Sequence, residues 1–164
     1  MFDISIPHLT HYLKSLSTIL KKAETHCEAK KIDGSVLLNF RLFPDMLPFT
    51  RQVQIACDFA KGCGARLAGV PVPSYEDTEK TFADLQARIA KTLEFLAGFT
   101  KEQLAGADKR MVSIKVAGKD HTMTGTDYFS GFVVPNFYFH MTTAYNILRH
   151  NGVELGKGDF MGRT

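Results

Sequence analysis

No apolar run in this chain approaches the ~20 residues that a membrane-spanning helix needs. The first residues, MFDISIPHLTHYL, carry Asp3 early and show no basic start followed by an apolar block, so no secretory signal is expected. Cysteine is scarce. Cys27, Cys57 and Cys63 form an odd set without C-x-x-C spacing, which reads as small buried thiols in a reducing compartment, the cytoplasm. Charge of one sign is never massed. The formal net charge is +3 and the Lys and Arg residues are scattered, which argues against a nucleic-acid partner. Phosphate-binding signatures are missing: there is no G-x-x-x-x-G-K-[ST] and no glycine fingerprint after a strand. A G-x-S-x-G nucleophile elbow is missing too, since Ser130-Gly131 lacks its leading half. Internal repeats and low-complexity tracts are absent.

What remains is a chain of 164 residues, 45 % hydrophobic, suited to one globular domain with a real core. Ile6, Leu9, Leu13, Leu16, Leu20, Ala23 and Cys27 step by three and four, which predicts a long amphipathic helix over 4–29. Pro7 falls near its start. His8 and His11 lie off this stripe and read as solvated, with a metal pair at i, i+3 as the alternative. After Asp33-Gly34-Ser35, a short helical turn is expected over 36–43, before Pro44. A second helix is expected over 45–67, with Phe49, Val53, Ala56, Ala60, Gly64 and Leu67 inward. Gln54 and Asp58 flank that stripe, either solvated or aimed at a pocket.

Gly69 to Ser74 is an extended link, because proline fixes φ and disfavours helix in the residue before it. A third helix is expected over 77–97, with Phe82, Leu85, Ile89, Thr92 and Leu96 as its stripe. The period then changes to two. Val112, Ile114 and Val116 alternate with polar residues, which predicts a small β-hairpin over 111–124 with its turn at Gly118-Lys119-Asp120. A last helix is expected over 127–150, kinked where Pro135 presses on the carbonyl of Gly131, and stopped by Asn151-Gly152. The tail from residue 154 reads as a strap anchored by Phe160.

The break in this ordinary helical pattern is His140. It shares a stripe with Val133, Phe137, Ala144 and Ile147, where an aliphatic side chain would be expected. Three readings stay open. His140 is a neutral core histidine held by Gln54, Asp58, Tyr145 or a carbonyl. It is an acid or base in a metal-free pocket, with Asn136, Tyr138 and Asp58 as further polar groups. Or it belongs to a degenerate metal site. A Cys57–His140 nucleophile pair is conceivable, but Cys57 in ACDFA reads as an inert core thiol. The aromatic group Phe129, Phe132, Phe137, Tyr138 and Phe139 is too wide for one stripe, so some rings pack on the hairpin or form a subunit interface.

The strings PNFYFHMTTAYNILRHNG, GKGDFMG, QVQIACDFAKG and YEDTEKTFADLQARIAKTLEFL resemble a bacterial family of uncharacterised proteins within the DinB/YfiT-like superfamily. The resemblance spans essentially the whole chain. It implies an all-α, up-down-down-up four-helix bundle as a single domain, often a homodimer, often with a divalent metal such as zinc or nickel. The superfamily's site takes one histidine from the second helix and an H-x-x-x-H pair from the fourth. His140 matches the first of that pair, and the second position is Ala144. The second helix offers Gln54 or Asp58 and no histidine. The site is therefore expected to be incomplete and without a cofactor, with an unidentified small molecule as a further possible partner. The expected function is that of an uncharacterised DinB-like protein with a polar pocket at His140. The alternatives are a metal- or His-dependent transferase or hydrolase, and a dimeric interaction or stress-response module.

Overall fold

The structure, a computed structural model, describes residues 1–163. It is mostly helical with one antiparallel hairpin. α1 spans Phe2–Lys30, and its stripe from Ile6 to Cys27 is buried throughout. It starts earlier than the sequence suggests, so Pro7 lies inside the helix. The acceptor that Pro7 leaves unused is the carbonyl of Asp3, in the solvent-exposed first turn. Lys31 closes the helix in the left-handed region at φ 56°. α2, Gly34–Leu38, begins within the expected break, where the Asp33 carboxylate caps it by accepting from Ser35 N–H at 2.9 Å, and ends well short of Phe43.

α3 runs Phe49–Ala68 rather than from residue 45. Pro48 sits extended at ψ 166° as the N-cap, and proline also disfavours helix at Leu47, so the helix cannot begin earlier. α4 covers Phe82–Ala97, five residues later than the expected start at 77. The cause is a capping box: Asp84 N–H donates to Thr81 Oγ1 at 3.1 Å while the Asp84 carboxylate accepts from Thr81 N–H at 3.0 Å. Asp77 and Glu79 therefore stay in the link and pair with arginines.

β1, Met111–Val116, pairs with β2, Lys119–Thr124, in the register Met111↔Thr124 through Val116↔Lys119. Lys119 and Asp120 are therefore strand residues, not turn residues. The loop is Ala117-Gly118 alone, with φ of 48° and 81°, the two left-handed residues of the turn that matches strand twist. Val112 and Ile114 point into the core.

The last helical stretch is compound. A single turn, α5 (Gly125–Asp127), is capped by Thr124. A π-helical turn, Tyr128–Val133, follows, and then α6, Val134–His150. Pro135 enters at the first turn of α6, where its missing N–H costs little. The expected proline kink is thus replaced by a wider turn just before the proline. α7, Lys157–Phe160, forms the strap, and Phe160 packs against Tyr12, Tyr138 and Tyr145 as expected of an anchor. α3 lies at the centre, packed on α6, α4 and α1, and α1 also packs on α4 and α7. No helix among the described residues is long and apolar enough to cross a membrane.

Candidate functional site at His140

α6 turns His140 toward α3 and buries it to 8 % exposure. Its Nδ1 lies 2.7 Å from Oε1 of Gln52. The amide nitrogen of Gln52 donates in turn to the carbonyl of Leu47 at 3.0 Å. A carbonyl can only accept, so this last bond fixes which way the Gln52 amide faces. Oε1 must then accept from Nδ1–H, and the neutral imidazole keeps its lone pair on Nε2. The ring stacks on Phe59, with centroids 5.9 Å apart, and meets the edge of Phe139 at 5.2 Å. Burial, and then the positive charge of Arg51, hold the His140 pKa below its usual value. Among the described residues, Arg88 Nε is the one buried side-chain polar atom without a partner, so Nε2 of His140 retains contact with solvent. A cavity of about 340 Å³ next to Gln52 and Phe139 is lined also by Asp45, Met46 and Leu47, and His140 itself is not part of its lining.

The residues expected around His140 bond elsewhere. Gln54 accepts from Arg51 and donates to Glu79 at 2.7 Å. Asp58 pairs with Lys61 at 2.9 Å and Arg88 at 3.0 Å. Asn136 donates to the carbonyl of Phe132. Tyr138 meets His8 Nε2 at 2.7 Å, and Tyr145 packs on Phe160. The reason is angular. Gln52 is three residues after Phe49 and four before Ala56, so it lies on the buried stripe toward α6, whereas Gln54 faces the link at Glu79 and Asp58 faces Arg88 of α4. That spacing was the available signal for Gln52.

The same spacing marks Arg88, between Leu85 and Thr92 on the stripe of α4 and 3 % exposed. Its guanidinium meets Asp58 at 3.0 Å, Asp77 at 3.1 Å and Glu79 at 2.9 Å, and donates to the carbonyl of Glu76 at 3.0 Å. Arg51 also pairs with Asp77. These contacts tie the link of residues 69–81 to α3 and α4. Burial would raise the Glu79 carboxyl, but hydrogen bonds from Arg88 and Gln54 outweigh it and hold the pKa below the usual range.

His8 is half-buried rather than solvated, while His11 stays exposed as expected. Tyr138 holds His8, and His11 Nε2 lies 2.9 Å from the carbonyl of Met161 in the strap. Cys57 is fully buried, burial pushes its thiol up to about 12, and it is no nucleophile partner for His140. The aromatic group is also resolved. Phe129 and Phe137 are buried, Phe132 packs on Phe59, and Tyr138 packs on Tyr12 and Phe160. Only Phe139 stands out, at 57 % exposure.

Residues 1–161 match the family model described as a domain of unknown function, DUF1993. The chain belongs to that family. A solved structure described as a DinB family member protein from Shewanella denitrificans is similar to the DUF1993 chain at 44 % identity, over 99 % of this chain and 92 % of that one, with a TM-score of 0.91. No curated protein matches.

The three-histidine site implied by the DinB resemblance can be tested on these residues. Position 144 is a fully buried Ala, with no ligand atom. The group facing His140 from α3 is an amide whose oxygen is already taken by Nδ1–H. Among the described residues, no three His, Cys, Asp or Glu side chains converge as a ligand set. The residues present do not fit a zinc or nickel ion held by three nitrogens.

Proposed function

We propose that this DUF1993 chain is an up-down-down-up bundle that uses His140 without a resident metal, as a hydrogen-bond acceptor or general base toward a small molecule. The carrying observation is the bond series from the Leu47 carbonyl through Gln52 to Nδ1 of His140. It orients the ring and leaves the basic Nε2 pair for an incoming N–H or O–H group. The lowered pKa supports the same role, because the ring stays neutral near pH 7. The extended link between α3 and α4 suits the crossover that this topology requires.

Metal content of protein made without a His tag tests the reading directly. The expected result is a substoichiometric level unchanged by His140→Ala. A stoichiometric zinc or nickel lost on His140→Ala would overturn the proposal. ¹⁵N shifts of the imidazole provide a second check, with Nδ1 protonated and Nε2 bare at neutral pH.

A homodimer is proposed on the exposure of Phe139 with Leu47 at 42 %, both on the wall of the cavity beside Gln52. Sedimentation at micromolar concentration should give twice the chain mass, and a monomer there removes this part. Cytoplasmic location is proposed from the three free, buried thiols.

A further inference from the structure

The π-helical turn and the hairpin enclose a second cavity that the His140 reading does not use. It measures about 210 Å³ and is lined by Asp58, Phe59 and Arg66 of α3, Ile114 and Lys115 of β1, and Phe132 of the π-turn. Phe59 and Phe132 form one corner, with ring centroids 5.6 Å apart at 61°. Ile114, 8 % exposed, adds an apolar surface. Drug-sized pockets run to ~300 Å³ and above, so this space takes a smaller molecule.

The polar groups on its wall differ in how they are partnered. Asp58 is neutralised by Lys61 and Arg88. Arg66 and Lys115 have no carboxylate partner among the described residues. Arg66 is also fixed in place. Its Nη1 donates to the hydroxyl of Tyr128 at 3.1 Å, and Tyr128 is 1 % exposed. Its guanidinium lies across Gly62, where any Cβ would run into Nη1. A glycine on the middle of α3 is costly for a helix, and here it makes room for the arginine head. Lys115, exposed on the neighbouring strand, supplies a second cation to the lining.

We infer that this cavity binds a small aromatic carboxylate. The ring would lie against Phe59, Phe132 and Ile114, and the carboxylate would meet the free edge of Arg66. A planar, five-donor guanidinium held by one nitrogen can still present a fork to a carboxylate, which a lysine cannot do. The π-turn contributes by widening the helix so that Phe132 reaches the corner, and such turns recur at functional sites. This site is separate from Nε2 of His140, although Phe59 forms a wall of one and stacks on the ring of the other.

The test is titration of the intact chain with benzoate, and in parallel with benzamide and inorganic phosphate, followed by ¹H–¹⁵N spectra. Benzoate is expected to shift the amides of Phe59, Arg66, Ile114 and Phe132 with saturation. Benzamide, which keeps the ring and loses the charge, should bind at least tenfold more weakly. Arg66→Gln should lose tenfold or more, and Lys115→Gln, on an exposed strand position, should lose a few fold with the fold intact. Gly62→Ala, which displaces the guanidinium without removing it, should weaken benzoate like Arg66→Gln. Metal content and the imidazole ¹⁵N shifts, which test the His140 reading, are measured without benzoate, so failure of that proposal and failure of this one are told apart. No saturable shift with benzoate, equal binding of benzamide, stronger binding of phosphate, or full affinity in both Arg66→Gln and Lys115→Gln would each overturn the inference.

Discussion

At the scale of single residues, His140 and Arg88 are both polar groups placed on apolar stripes, and each is held differently. His140 is kept neutral. Its pKa lies below the ordinary 6.5, so the unfolded chain binds its proton first. The stability this neutral ring contributes is complete above pH 6.5 and declines as pH falls from there toward the folded value. His8 is lowered in the same direction, by burial and then by the charge of His11. Urea midpoints should therefore drop between pH 7.5 and 5.5, and His140→Gln should show a smaller drop, with the His8 share remaining. Arg88 is kept charged. Glu79, held below its ordinary 4.5, contributes stability above that value that is lost as pH falls through the folded pKa. A second loss is thus expected below pH 4.5, smaller in Glu79→Gln, with the shares of Asp33, Asp84 and Glu102, which are also held low, remaining. Removing the arginine itself leaves three carboxylates around a buried gap, and Arg88→Ala should cost about 3 kcal/mol or more in denaturant unfolding.

At the scale of elements, local chemistry sets the boundaries that periodicity leaves open. The late start of α4 depends on Thr81 and Asp84, so Thr81→Ala should cost about 1 kcal/mol. The join between hairpin and π-turn depends on Gly125, where a Cβ would collide with the backbone carbonyl of Ala107. Backbone cannot swing aside as a side chain can. Gly125→Ala should cost roughly 3 kcal/mol, and calorimetry on the two variants should rank them in that order. These cases also show what was legible in the chain. Stripes such as Leu9–Leu13–Leu16 and Phe82–Leu85–Ile89 depend on periodic burial, and they were readable. The alternation of Val112 and Ile114 was readable for the same reason. The partner of His140 was not read correctly, because a polar residue on a stripe breaks the pattern by which stripes are recognised. Gln52 and Arg88 are hidden for that reason. The π-turn left no periodic trace at all, since it is a single widened turn ahead of Pro135.

At the scale of the whole molecule, the strap joins what the helices leave open. Asp159, 5 % exposed, meets Lys22 at 2.5 Å, and His11 meets the carbonyl of Met161, so α7 is fixed to α1 at two points. Phe160 covers the rings of Tyr12, Tyr138 and Tyr145 between them. Phe160→Ala should cost roughly 2 kcal/mol, below the 3–5 of a fully buried ring because this one is only half covered. Tyrosine fluorescence should report the opening of that patch before helical circular dichroism changes.

The three thiols have a practical consequence. Cys27 lies on α1 at 4 % exposure, and Cys57 and Cys63 lie on α3 at 0 %. Burial pushes the thiols of Cys57 and Cys63 to about 12, so in the native state they offer almost no thiolate to an alkylating reagent. Iodoacetamide uptake, counted by mass, would then act as a stopwatch for the separation of these two helices, with no residue substituted.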